Sequence, residues 1–174
     1  LMPLACSRSI PRLQGRLQDS LEEVDVAVVL QTPEGWTYDG RIEFPAAGGR
    51  SGAAVLLLGG GLGTDIDWTS PGEYTIDGRP TKDAATISCS LRNAGFVVMR
   101  WQAIRQGDPL YEQNPSMFEA PSYRQTVRQC RAALTCLREH TDATSTPIFL
   151  IGHSNGARRA VLLMDDGVDI HGIV

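Results

Sequence analysis

Short runs of consecutive apolar residues alternate along the chain with segments whose apolar residues recur every three or four positions. Ala53-Ala54-Val55-Leu56-Leu57-Leu58, Phe96-Val97-Val98-Met99 and Ile148-Phe149-Leu150-Ile151 are uninterrupted, the pattern of strands buried on both faces. Between them, Asp83 to Ala94 carries Ala84, Ile87 and Leu91 at helical spacing and stops at Gly95, a residue suited to a helix C-terminus. Ser122 opens a second helical segment reaching His140, with Val127, Cys130, Leu134 and Leu137 on one face and Arg124, Arg128, Arg131 and Arg138 elsewhere. Ala157 to Met164 consists of helix formers, and the run from Val168 to Val174 predicts one more strand. Upstream, Val24 to Leu30 and Trp36 to Phe44 flank the turn Thr32-Pro33-Glu34-Gly35 and predict a hairpin.

The predicted order is hairpin, strand, helix, strand, helix, strand, helix, strand. That alternation specifies an α/β class with a mostly parallel sheet, helices on both faces and an N-terminal antiparallel hairpin. Ligands then bind beyond the carboxyl ends of the strands. Residues 1–23 form a poorly defined N-terminal segment, and residues 24–174 belong to a single domain. Gln102 to Pro121, with Pro109, Pro115 and Pro121, predicts a long loop on the ligand-binding rim.

Composition narrows the class of function. The 174 residues suit one domain, and 42% hydrophobic with 21% charged residues is a globular balance. A net charge of -4 supplies no basic surface for nucleic acid or anionic membrane. No run approaches the ~20 apolar residues of a transmembrane helix. Leu1 to Arg16 contains no apolar signal core, which makes the cytoplasm the default expectation. Cys6, Cys89, Cys130 and Cys136 form no CxxC pair and no Cys/His ligand spacing, so buried or free thiols are expected rather than disulfides or zinc. The chain starts with Leu1 and stops inside an apolar run at Val174, which suggests a fragment.

The chemistry centres on Gly152-His153-Ser154-Asn155-Gly156, a GxSxG match between an apolar strand and a helix-forming segment. This strand-turn-helix setting is that of a nucleophile elbow, with Ser154 as nucleophile. Gly152 and Gly156 leave room for close backbone packing around the strained turn, with His153 as a packing residue of the elbow. At the helix N-terminus, the Asn155 N–H can stabilise an oxyanion developing beside Ser154. The glycine-rich loop Gly59-Gly60-Gly61-Leu62-Gly63 follows an earlier buried strand, and the Gly61 N–H is the candidate second donor. The loop lacks GxGxxG spacing and no P-loop lysine follows, which argues against a phosphate cradle. Asp65 and Asp67 either brace this loop through backbone hydrogen bonds or stand as a solvated pair.

With these segments in order, residues from about Val24 to Val174 resemble the α/β-hydrolase superfamily, and within it the serine-aminopeptidase-like and acyl-esterase-like branch. The matching stretches are Gly59 to Asp67, Phe96 to Gln102 and Ile151 to Gly156. Gly59 stands where the branch commonly has His, Gln102 replaces its usual Asp, and its RGxG turn survives only as Arg105-Gln106-Gly107. The resemblance implies the α/β-hydrolase fold, truncated after about the sixth strand. It also implies a serine hydrolase cleaving an ester or related acyl bond in a small-molecule substrate, with no cofactor and no metal.

In this fold the acid and then the base follow the nucleophile along the chain. After Ser154 come only Asp165, Asp166, Asp169 and His171, all before or at the start of the last predicted strand. His171 is expected at the end of the sheet opposite Ser154, and His140 at a helix end where a partly charged imidazole suits the dipole. No acid and no base are therefore assigned in this chain, and the 174 residues by themselves are expected to be inactive. The alternative is a non-catalytic α/β-hydrolase-like binding or scaffold protein.

Overall fold

The computed structural model describes residues 7–8, 25–33, 35, 37–45, 52–60, 65–69, 75–76, 79–102, 123–142 and 145–174. The strands in chain order are β1 (Ser7–Arg8), β2 (Asp25–Gln31), β3 (Thr37–Glu43), β4 (Ala54–Leu58), β5 (Thr75–Ile76), β6 (Arg79–Pro80), β7 (Val97–Trp101), β8 (Ile148–Gly152) and β9 (Gly172–Ile173). Helix α1 spans Asp83–Asn93, α2 Tyr123–His140 and α3 Asn155–Asp165.

The main sheet runs β1-β2-β3-β7-β4-β8-β9. Strands β7, β4, β8 and β9 are parallel, with Leu56 opposite both Met99 and Leu150. The predicted hairpin forms: Asp25 pairs with Glu43 and Gln31 with Thr37, around a turn closed by Gly35 N–H on Thr32 O at 2.9 Å. Strand β3 then docks antiparallel on β7. The structure adds two features without a readable signal. Ser7–Arg8 pair with β2 inside the segment 1–23, and β5 pairs with β6 as a separate two-stranded ribbon. Two-residue strands are too short to carry a period.

Alternation along the central strands builds two apolar layers. Val55, Leu57 and Val98 face α1, where Ala84 is buried and Ile87 and Leu91 pack at the edge of the cluster. Leu56, Leu58, Met99 and Leu150 face the other way, against Val127, Cys130, Leu134 and Leu137 of α2 and Ala160 and Leu163 of α3. Helices thus cover both faces, as the pattern predicts.

Gly95 ends α1 at φ 93, with its N–H on Arg92 O and the Phe96 N–H on Leu91 O. Gly167 repeats the arrangement for α3 at φ 70, with Val168 N–H on Leu163 O. This paired bonding is a Schellman closure. It also shortens the last strand relative to the run expected from Val168: the Val168 N–H is spent on α3, and the ladder starts only where His171 N–H reaches Ile148 O. No helix among the described residues is long and apolar enough to cross a membrane.

Candidate active site

The junction of β8 and α3 lies at the carboxyl end of the parallel strands. His153 N–H donates to Leu58 O at 3.0 Å, tying the end of β8 to the end of β4. Ser154 follows at φ 55, ψ −117, exposed, and its side chain makes no capping bond to α3. A non-glycine residue at positive φ away from a tertiary constraint is costly. Here the constraint is the turn itself. Gly156 N–H bonds His153 O at 2.8 Å and Ala157 N–H bonds Ser154 O at 3.1 Å. The Asn155 N–H, first in the helix, has no acceptor among the described residues.

Sterics require glycine at both ends of the pentapeptide. A Cβ on Gly156 would lie 1.9 Å from Leu58 O, and one on Gly152 would lie 2.5 Å from Ala157 N. Gly60 packs from the other side: a Cβ there would lie 3.0 Å from both Ser154 Cβ and His153 Nδ1. The chain after β4 therefore runs directly against the Ser154 turn. Gly61, the expected second donor, lies outside the described residues, as do Leu62 to Thr64 and most of the stretch from Gln102 to Pro121.

A buried arginine holds these two segments together. Arg159, on the inner face of α3 with Ala160 and Leu163, donates from Nη1 to Gly59 O at 2.8 Å. Because the peptide unit is planar, fixing the Gly59 carbonyl fixes the direction of the Gly60 N–H. Sequence reading missed this contact. The available signal is helical register: Gly156, Arg159, Ala160 and Leu163 share one face at spacings of three and four.

Of the two alternatives for the loop aspartates, bracing through backbone hydrogen bonds describes Asp65, whereas the Asp67 carboxylate fits neither and is held by ion pairs. Asp65 Oδ1 accepts the N–H groups of Asp67 at 3.1 Å and Thr69 at 2.8 Å. Asp67 pairs with Arg100 and with Lys82 Nζ at 3.2 Å, and its carbonyl accepts the Ala84 N–H of α1 at 3.1 Å. Arg100 is 3% exposed and also pairs with Glu43, itself buried, which in turn accepts a hydrogen bond from Ser88. Burial opposes ionisation of Asp67, but hydrogen bonds from Arg100 and Lys82 outweigh it and hold the carboxyl below its ordinary range.

Between these braces, Trp68 is held at φ 52. Its ring packs on Val55, Leu57 and Val98 below and lies 6.1 Å from the His153 ring above. Trp68, His153 and the start of α1 from Thr81 to Ile87 border a cleft of about 730 Å³.

No family model and no curated protein matches the sequence. Solved structures do match. A dienelactone hydrolase from Anabaena variabilis shares 16% identity at a TM-score of 0.59, over 87% of this chain and 62% of that one. A Pyrococcus furiosus esterase shares 18% identity at 0.56, over 95% and 54%. A thermostable carboxyl esterase from Bacillus coagulans shares 16% identity at 0.54, over 87% and 44%. This chain has the α/β-hydrolase fold. It spans roughly half the length of these α/β-hydrolase structures, between 44% and 62%.

The carboxylates and the histidine that follow Ser154 sit away from it in the α/β-hydrolase frame. Asp165 and Asp166 lie at the far end of α3, about 15 Å along its axis by the helical rise, and Asp166 pairs with Arg131 at 2.8 Å. Asp169 lies beyond α3, where its carbonyl accepts from Arg138. His171 is at the amino end of β8, where its Nδ1 accepts the Ile148 N–H at 3.3 Å. His140 closes α2, donating from Nδ1 to Cys136 O at 2.9 Å. Cys89, Cys130 and Cys136 are free thiols, Cys89 exposed and the other two buried. No group of three potential metal ligands occurs among the described residues.

Proposed function

We propose that the protein is a serine hydrolase that cleaves an ester or related acyl bond, with Ser154 as nucleophile. The Ser154 hydroxyl attacks the carbonyl carbon, the leaving alcohol or amine departs with a proton, and water releases the acyl group from Ser154. The Asn155 N–H and the Gly61 N–H are the proposed oxyanion donors. Gly152, His153 and Gly156 shape the turn. The chain spans about half the length of the structures it matches, so the activity proposed is that of the whole protein.

One observation carries this proposal: Ser154 stands at φ 55, ψ −117 with an exposed side chain that makes no capping bond. A serine at a helix start ordinarily caps it. Holding one in a strained turn, with its side chain withheld from the cap, is the arrangement expected of a nucleophile. The esterase and hydrolase neighbours supply the chemical class.

A fluorophosphonate probe applied to the whole protein, rather than to these 174 residues alone, tests it. The expected result is covalent labelling of the peptide that contains Ser154, hydrolysis of p-nitrophenyl acetate, and loss of both in Ser154→Ala. A folded protein with no labelling and no turnover would reject the proposal in favour of a non-catalytic scaffold on the same fold.

A further inference from the structure

Two buried arginines hold the two ends of the segment that follows β4. Arg159 fixes its start, at the Gly59 carbonyl. Arg100, near the carboxyl end of β7, fixes its far end: it pairs with the Asp67 carboxylate, and its Nη1 also reaches Ile66 O at 3.4 Å. Directly after Asp67 comes Trp68, whose ring lies 6.1 Å from that of His153, the neighbour of Ser154.

Arg100 has a second partner on another strand. Alternation along β7 puts it on the same face as Val98, the face covered by α1. There it pairs with Glu43 at the end of β3, and Glu43 accepts the hydroxyl of Ser88 from α1. Stability is a poor reason for such an arrangement. Taking Arg100 and Glu43 out of water costs much of what their attraction returns, and an apolar set of similar volume is often as stable or more so. Arg100 Nε adds to that cost, since it is buried with no acceptor among the described residues.

What a guanidinium supplies and an apolar side chain does not is direction. Nη1 takes Asp67 and Nη2 takes Glu43, so the rigid fork fixes one carboxylate relative to the other. Strained backbone persists only where its surroundings over-determine it, and Trp68 at φ 52 stands immediately beyond this anchor. We propose that Arg100, held by Glu43, is a positioning residue for the hydrolysis at Ser154: through Asp67 it fixes the far end of the segment that starts at Gly59, and so sets Trp68 against His153. The assignment rests on the hydrolase reading of Ser154.

A variant carrying Glu43→Leu, Ser88→Ala and Arg100→Met together separates position from stability. It removes the buried charges and the hydroxyl at once, and it leaves Asp67 paired with Lys82. In the whole protein it is expected to melt within about 4 °C of the wild type. Fluorophosphonate labelling of Ser154 is nevertheless expected to slow by about tenfold or more, with kcat on p-nitrophenyl acetate falling alike and KM nearly unchanged. A folded variant that labels as fast as the wild type would overturn the proposal. Should this variant not fold, Arg100→Lys decides by the same readings, because an ammonium keeps the charge but not the fork: labelling slowed by about threefold or more is expected, and an unchanged rate would overturn the proposal. Position is also read without activity, by NMR. The Trp68 indole N–H and the His153 ring resonances are expected to shift in the folded variant, and unmoved resonances would overturn the positioning role. A wild-type protein that neither labels nor turns over would reject the hydrolase reading, while shifted resonances would still show Arg100 setting Trp68 against His153.

Discussion

Arg159 donates a 2.8 Å hydrogen bond to the carbonyl oxygen of Gly59, joining the helix that begins at Ser154 to the loop that faces it. Removing the donor leaves a buried carbonyl unsatisfied, at a cost of about 1–3 kcal/mol. Arg159→Met is therefore expected to lower stability by that amount in urea denaturation. It also frees the Gly59–Gly60 peptide to rotate. If that peptide orients the oxyanion loop, fluorophosphonate labelling of Ser154 slows by tenfold or more, and kcat falls with KM nearly unchanged. Equal labelling rates in the two proteins would reduce Arg159 to a structural role.

Asp67 gives stability a defined pH dependence. Its carboxyl is held below the ordinary value of 3.8, chiefly by Arg100 and Lys82 against the opposing effect of burial. A depressed folded-state value means that the contribution is fully present above the ordinary value and is lost as pH falls through the folded one. The melting temperature of the wild type is expected to drop as pH is lowered from about 4, more steeply than that of Asp67→Asn. Asp67→Asn itself costs about 1–3 kcal/mol near neutral pH. Parallel pH profiles for the two proteins would show that the ion pairs contribute nothing.

Gly156→Ala tests the steric reading of the turn. The new methyl would sit 1.9 Å from Leu58 O, and backbone rather than a flexible side chain stands in its way. Overpacking costs about 1–3 kcal/mol and sometimes more. The variant is expected to unfold at lower denaturant and to lose labelling at Ser154. Wild-type stability together with wild-type labelling would refute the close approach of α3 to β4.

Thiol reactivity should divide sharply. Cys89 is exposed, whereas burial pushes the Cys130 thiol up to about 12 and Cys136 is enclosed in the same core. Iodoacetamide at pH 8 is expected to modify Cys89 in the native protein and to reach Cys130 and Cys136 only in denaturant, read by peptide mass spectrometry. Native modification of Cys130 would place it outside the core.

Much of this architecture is legible in the sequence because its signals are local. The stretches Ala54–Leu58, Val97–Trp101 and Ile148–Gly152 are covered on both faces, so their apolar runs need no partner to be recognised. Gly95 marks a helix end by its own conformational freedom. Glu43 and Arg100 give no such signal, and Arg159 gives only the helical register it shares with Gly156, Ala160 and Leu163. A charged residue is exposed by default, and these three are buried because of partners far along the chain. Arg100 and Glu43 are 57 positions apart, and Arg159 and Gly59 are 100 apart. The Trp68 backbone is equally silent, since its positive φ comes from the hydrogen bonds and ion pairs of its neighbours rather than from any preference of tryptophan.

The backbone at Ser154 also separates durability from purpose. A residue with a Cβ held at φ 55, ψ −117 carries roughly 1–3 kcal/mol of conformational strain that glycine would not. Ser154→Gly is thus expected to melt higher than the wild type while losing the hydroxyl. Variants chosen only for heat resistance would discard this serine early, and a library ranked by melting temperature would enrich a sturdier protein with nothing left at position 154 to react.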